Sequence, residues 1–151
     1  MKIWVDADAC PKVIKEILFR VAERTQITVA FVTNQYLHLP QSPFITLMQV
    51  PPGPDITDDE IAARCAAGDV VVTADIPLAA RIVEKGGHAL DPRGKLYDAG
   101  NIKQILSMRD FMDSLRGSGI ETGGPGGIGQ QERNLFANNL DRIITAHQKR
   151  G

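Results

Sequence analysis

The chain has 151 residues, of which 43% are apolar and 23% charged, and its net charge is −1. That length suits one globular domain burying about 70% of the surface of its unfolded chain, and near-neutrality supplies no global basic field for nucleic acid or anionic membrane. No stretch approaches the ~20 apolar residues of a membrane span, no apolar signal core precedes Asp6, and two isolated cysteines, Cys10 and Cys65, suit a reducing cytoplasm.

Lys2 to Val5 is an apolar run that predicts a buried strand, and it leads into Asp6, Ala7, Asp8, Ala9, Cys10 and Pro11. Proline lacks an N–H, which costs nothing at the start of a helix. The spacing of Val13, Ile14, Ile17, Leu18, Val21 and Ala22 then predicts a helix from Pro11 to about Glu23. Ile27 to Val32 reads as a second strand and Phe44 to Val50 as a third, the weakest of the set. The run Pro51 to Pro54 halts regular structure. Thr57 followed by Glu60 has the spacing of a capping box, and it opens a helix that turns Ile61, Ala62 and Cys65 inward.

Val70 to Thr73 is the fourth strand, followed by Asp75 and a helix from Pro77 to Lys85 that ends at Gly86 and Gly87. A short strand, His88 to Leu90, precedes Asp91, Pro92, Arg93 and Gly94. A helix is predicted from about Asn101 to Leu115. Seven of the thirteen residues from Gly117 to Gly129 are glycine, which reads as a linker or lid. The last helix, from about Gln130 to Gln148, directs Leu135, Phe136, Leu140, Ile143 and Ile144 inward. Strands alternating with helices predict an α/β fold with a mainly parallel sheet between two helical layers. The right-handed crossover rule favours the strand order 3-2-1-4-5, with a C-terminal helical extension. The expected division is an α/β domain at 1–116, the glycine-rich segment at 117–129, and a helix packed on the same domain at 130–151.

Two strands in this scheme end in acids and open helices at prolines, and in the expected order they lie side by side. Ligands of open α/β sheets bind beyond the carboxyl ends of strands, where the strand order reverses. Asp6, Asp8, Asp75 and the Asp58-Asp59 pair are therefore the principal candidates, with Asp91 as a companion. Two carboxylates about 4 Å apart repel by roughly 4 kcal/mol at an effective dielectric near 20. Protons or a hard cation such as Mg²⁺ or Mn²⁺ would relieve the repulsion. Such an ion clamps a phosphodiester and activates water. Each aspartate could equally serve as a helix cap. Thr33, Asn34 and Thr73, at strand ends, and Arg93 are candidate substrate contacts. Cys10 lies beside the acids without an identifiable base partner, so a small buried residue is the simpler reading.

The segments VDADACP (5–11), VVTADIPLA (71–79), LDPRG (90–94), TGGPG (122–126) and LFANNLDRII (135–144) resemble the YaiI/YqxD family of bacterial proteins over essentially the whole chain. That family is similar in architecture to PIN-like domains, which are Rossmann-like metal-dependent ribonucleases. The resemblance implies that Asp6 matches the first-strand aspartate and Thr73-Ala74-Asp75 the Thr/Ser-x-Asp element. Asp58, Asp59 or Glu60 would stand in for a mid-chain glutamate, and Asp91 for the last acid. The expectation is a cytoplasmic metal-dependent phosphodiesterase acting on single-stranded RNA. Asp6, Asp8 and Asp75 would be the catalytic and metal-binding groups, with Asp59 an outer ligand. The alternatives are a phosphatase of the haloacid-dehalogenase type, which shares the Asp-x-Asp after a strand, and a non-catalytic RNA- or protein-binding module. In the phosphatase motif order the acidic pair follows the Thr/Ser element, whereas here Asp58-Asp59 precedes Thr73.

Overall fold

A computed structural model describes residues 1–107 and 128–150. Five parallel strands form the sheet: β1 (Ile3–Asp6), β2 (Val29–Thr33), β3 (Ile45–Gln49), β4 (Val70–Val72) and β5 (His88–Leu90). A sixth, β6 (Leu96–Tyr97), joins antiparallel to β5, and the order is β3-β2-β1-β4-β5-β6. The predicted 3-2-1-4-5 arrangement is present, with one strand added. Two residues of β6 are too few for an alternation pattern, so its hairpin with β5 depends on the turn. There Gly94 N–H donates to the Asp91 carbonyl at 2.8 Å, as Asp91 N–H does to that of Lys95.

The helices are α1 (Lys12–Thr25), α2 (Ile56–Arg64), α3 (Ile76–Glu84) and a C-terminal helix (Gln130–Arg150). Residues 102–107 are helical. The rest of the helix expected to reach Leu115, and residues 117–127 of the glycine-rich segment, lie outside the described residues.

The central strands are buried on both faces, as parallel strands between helices must be. Ile3, Val5, Phe31, Val70 and Val72 face α1 and the C-terminal helix in one core. Trp4, Ala30, Val32 and Val71 face α2 and α3 in the other. This explains why β1 and β4 read as continuous apolar runs rather than alternating ones. Phe136 and Leu140 are fully buried and attach the C-terminal helix to the first core. Each such burial is worth about 2 kcal/mol.

One local expectation is overturned. Thr57 does not cap α2, because the helix begins at Ile56 and its flanking residue is Asp55, held at φ 62° with no side-chain cap bond. Aspartate tolerates the left-handed conformation better than most residues. Its use there starts the helix early enough for Ile56 to pack against the second core. Glu60, freed from a capping role, pairs with Arg64 one turn later.

Candidate functional site

β1 ends in Asp6, which is 8% exposed, and its register pairs Val5 with Val72 of β4. Continuing that register one residue sets Thr73 beside Asp6. Thr73 Oγ1 donates to Asp6 Oδ2 at 3.1 Å and accepts the Asp75 backbone N–H at 3.0 Å. A single buried hydroxyl thus fastens both acid-tipped strand ends at the point where the strand order reverses. Asp75 also caps α3, accepting Leu78 N–H at 2.8 Å through Oδ1. Capping and site membership are compatible, since Oδ1 takes the cap bond while the carboxylate also meets Asp58.

The third member of the cluster is Asp58, in the first turn of α2. Burial, the nearby charges of Asp75 and Asp6, and a hydrogen bond with Asp75 push its carboxyl up to about 7. Asp6 is raised as well, chiefly by burial and secondarily by Asp8 and Asp75, while the Thr73 hydroxyl works in the opposite direction. Helical spacing contained the signal for Asp58. It lies three and four residues before Ile61 and Ala62, both buried, so it shares their inward face. Asp59, the expected outer ligand, is instead turned outward to an exposed ion pair with Arg81 at 2.7 Å.

Asp8 leaves the cluster for the tip of β2. Thr33 Oγ1 donates to Asp8 Oδ1 at 2.6 Å, and Asn34 N–H to Oδ2 at 3.1 Å. The Thr33 hydroxyl and the Asn34 backbone therefore anchor Asp8. Asp8 lies within a 3-10 turn, Ala7–Ala9, that directly follows Asp6 and sends the two aspartates in different directions. Asp91 is taken up by its own loop, accepting Arg93 N–H at 2.6 Å and the Tyr97 hydroxyl at 3.2 Å. The Arg93 guanidinium stands 3.8 Å from Glu132 and borders a 290 Å³ hollow with Ala9, Pro11, Ala74 and Ile128. Burial pushes the Cys10 thiol up to about 12, which makes it inert as a nucleophile.

Among the described residues, no three His, Cys, Asp or Glu side chains stand in a preset metal-holding arrangement. The Thr73 hydroxyl joins Asp6 to the Asp75 backbone, and Asp58 hydrogen-bonds Asp75 beside them. Their donor set is all oxygen, which suits a hard divalent cation rather than zinc or copper.

The raised Asp58 carboxyl has a thermodynamic consequence. A group that holds its proton more tightly folded than unfolded makes stability fall as pH rises, here from the ordinary value of 3.8 to about 7. Asp58→Asn is expected to match the wild type in denaturation midpoint at pH 4 and to exceed it at pH 8. Equal midpoints at pH 8 would show that Asp58 does not feel Asp75 and Asp6.

Relatives match the chain over nearly its whole length. The chain is 59% identical over 149 residues to a UPF0178 protein of Shewanella halifaxensis, covering 99% of each chain. It is 59% identical over 147 residues to a UPF0178 protein of Syntrophotalea carbinolica, covering 97% of this chain and 99% of that one. A UPF0178 protein of Aromatoleum aromaticum is 58% identical over 144 residues, covering 95% and 96%. No solved structure matches the chain. No described helix is long and apolar enough to cross a membrane. The model of the family described as "Uncharacterized BCR, YaiI/YqxD family" matches residues 4–146, and the chain belongs to that family.

Proposed function

We propose that this protein is a divalent-cation-dependent phosphodiesterase acting on single-stranded RNA. The observation that carries the reading is that Asp6 and Asp75, at the ends of neighbouring strands where the strand order reverses, are joined through one buried Thr73 hydroxyl, with Asp58 beside them. Carboxylates forced together at the ligand-binding edge of an α/β sheet store a repulsion that a cation relieves. Asp6 and Asp75 would hold Mg²⁺ or Mn²⁺, with Asp58 taking the part expected of Asp59, while Asp8 stays bound to Thr33 and Asn34 at the margin. The bound cation would polarise the phosphodiester and lower the pKa of an attacking water. Without it, a polyanion would be repelled from this edge. RNA is preferred over other phosphodiesters on the resemblance to PIN-like ribonucleases carried by Asp6 and Thr73-Ala74-Asp75.

Labelled single-stranded RNA, DNA and small phosphomonoesters should be offered to the protein in EDTA and then with Mn²⁺ or Mg²⁺. RNA hydrolysis is expected only with the cation, and to fall by about a hundredfold or more in Asp75→Asn. Asparagine still caps α3, so folding is preserved. Hydrolysis confined to phosphomonoesters would replace this reading with a phosphatase, and cation-independent RNA binding without cleavage would replace it with a binding module. The same cations are expected to raise the melting temperature of the wild type, since a ligand of the folded state alone must stabilise it. Asp6→Asn should abolish that rise while changing the melting temperature in EDTA little.

A further inference from the structure

A second hollow is lined by none of Asp6, Asp58 or Asp75. It is a groove of about 580 Å³ between α1 and the C-terminal helix, within the usual size range of small-molecule sites. Its floor is apolar, formed by Val13, Ile17, Val21 and Ala137, while Arg20, Arg24 and Arg133 stand along it. The three guanidinium groups outnumber the two acids that also line it, Glu16 and Asp141, and Arg24 already engages Asp141 at 2.5 Å. Arg133 donates through Nη2 to Gln130 at 2.7 Å, yet its Nε is buried and has no acceptor among the described residues. The excess of guanidinium charge along the groove favours an anion there. The N-terminal turn of the C-terminal helix, at Gln130, opens on the same groove and adds its positive end.

We propose that this groove binds a nucleotide, with its phosphate on Arg20 and Arg133 and its base on Val13, Ile17 and Ala137. Guanidinium forks match phosphate oxygens in pairs. A free phosphate would leave the apolar floor wet, whereas a planar base covers it. The nucleotide has two possible sources, a free mononucleotide or one unit of an RNA strand, and both present the same phosphate and base. The site is independent of the cation chemistry assigned to the acids.

The test is calorimetry in EDTA, where no hydrolysis intervenes, using AMP, inorganic phosphate and a short single-stranded oligoadenylate as probes. AMP is expected to bind, inorganic phosphate to bind at least about tenfold more weakly, and Asp75→Asn to bind AMP like the wild type. Arg20→Gln combined with Arg133→Gln should weaken AMP by about tenfold or more with an unchanged melting temperature. Ala137→Phe, which fills the floor without altering charge, should weaken it too. Oligoadenylate that competes with AMP assigns the strand as the source, and failure to compete assigns the free nucleotide. Absence of AMP binding, or binding unaffected by both the arginine and the Ala137 changes, overturns the proposal.

Discussion

Asp69→Ala is expected to cost the fold about 4 kcal/mol, as a downward shift of the urea midpoint followed by the fluorescence of the only tryptophan, Trp4. Asp69 is 8% exposed and lies just before β4, at the opposite edge of the sheet from the acidic cluster. Its carboxylate accepts three donors: Lys2 N–H at 3.0 Å, the Trp4 indole N–H at 3.1 Å and Ala66 N–H at 3.0 Å. One side chain thus ties the start of β1 to the residues that follow α2. Deleting it strands the Trp4 indole, whose residue is 4% exposed, while water reaches the other two donors more easily. A buried donor without a partner costs about 1–3 kcal/mol, and two partly wet ones add a smaller share. Asp69→Asn should recover little, because an amide NH₂ must then face donors. A loss below about 1 kcal/mol would mean that Trp4 finds another acceptor.

Gly94→Val is expected to destabilise by about the same amount, through sterics rather than lost hydrogen bonds. Gly94 sits at φ 101°, and a Cβ there would stand 2.7 Å from Phe136 N and 2.8 Å from Leu135 Cβ. Asn139 Nδ2 donates to the Gly94 carbonyl at 2.6 Å, so the turn and the C-terminal helix are in intimate contact. Overpacking costs about 1–3 kcal/mol and the left-handed backbone about as much again for a β-branched residue. Gly68→Ala separates the two contributions. Gly68 has φ 88° but nothing within 4 Å of the added Cβ, so only the backbone cost of about 1 kcal/mol should appear. Equal losses at Gly68 and Gly94 would show that the helix yields to the added side chain.

The acids and the arginine groove divide the molecule's electrostatics between two places. A net charge of −1 therefore conceals a local excess of each sign. Composition cannot register such segregation, because opposite patches cancel in the sum.

The layered α/β architecture, the central strand order and the acid-tipped strands β1 and β4 were legible in the sequence. Each depends on local information: apolar runs, helical spacing and prolines at helix starts. Asp6 and Asp75 were legible as neighbours for the same reason, since parallel pairing leaves few ways to order the strands. Tertiary structure decided where the remaining acids point. Asp58 and Asp59 are adjacent in sequence, but the packing of α2 turns Asp58 toward Asp75 and Asp59 toward Arg81. Asp8 is two residues from Asp6, yet the 3-10 turn delivers it to Thr33. Asp69 carries no motif at all, and its three partners come from segments up to 67 residues apart. Hydrophobic spacing specifies which face of an element is buried. It does not specify which polar group of another element that face will meet, because that depends on side-chain directions fixed only when the layers close.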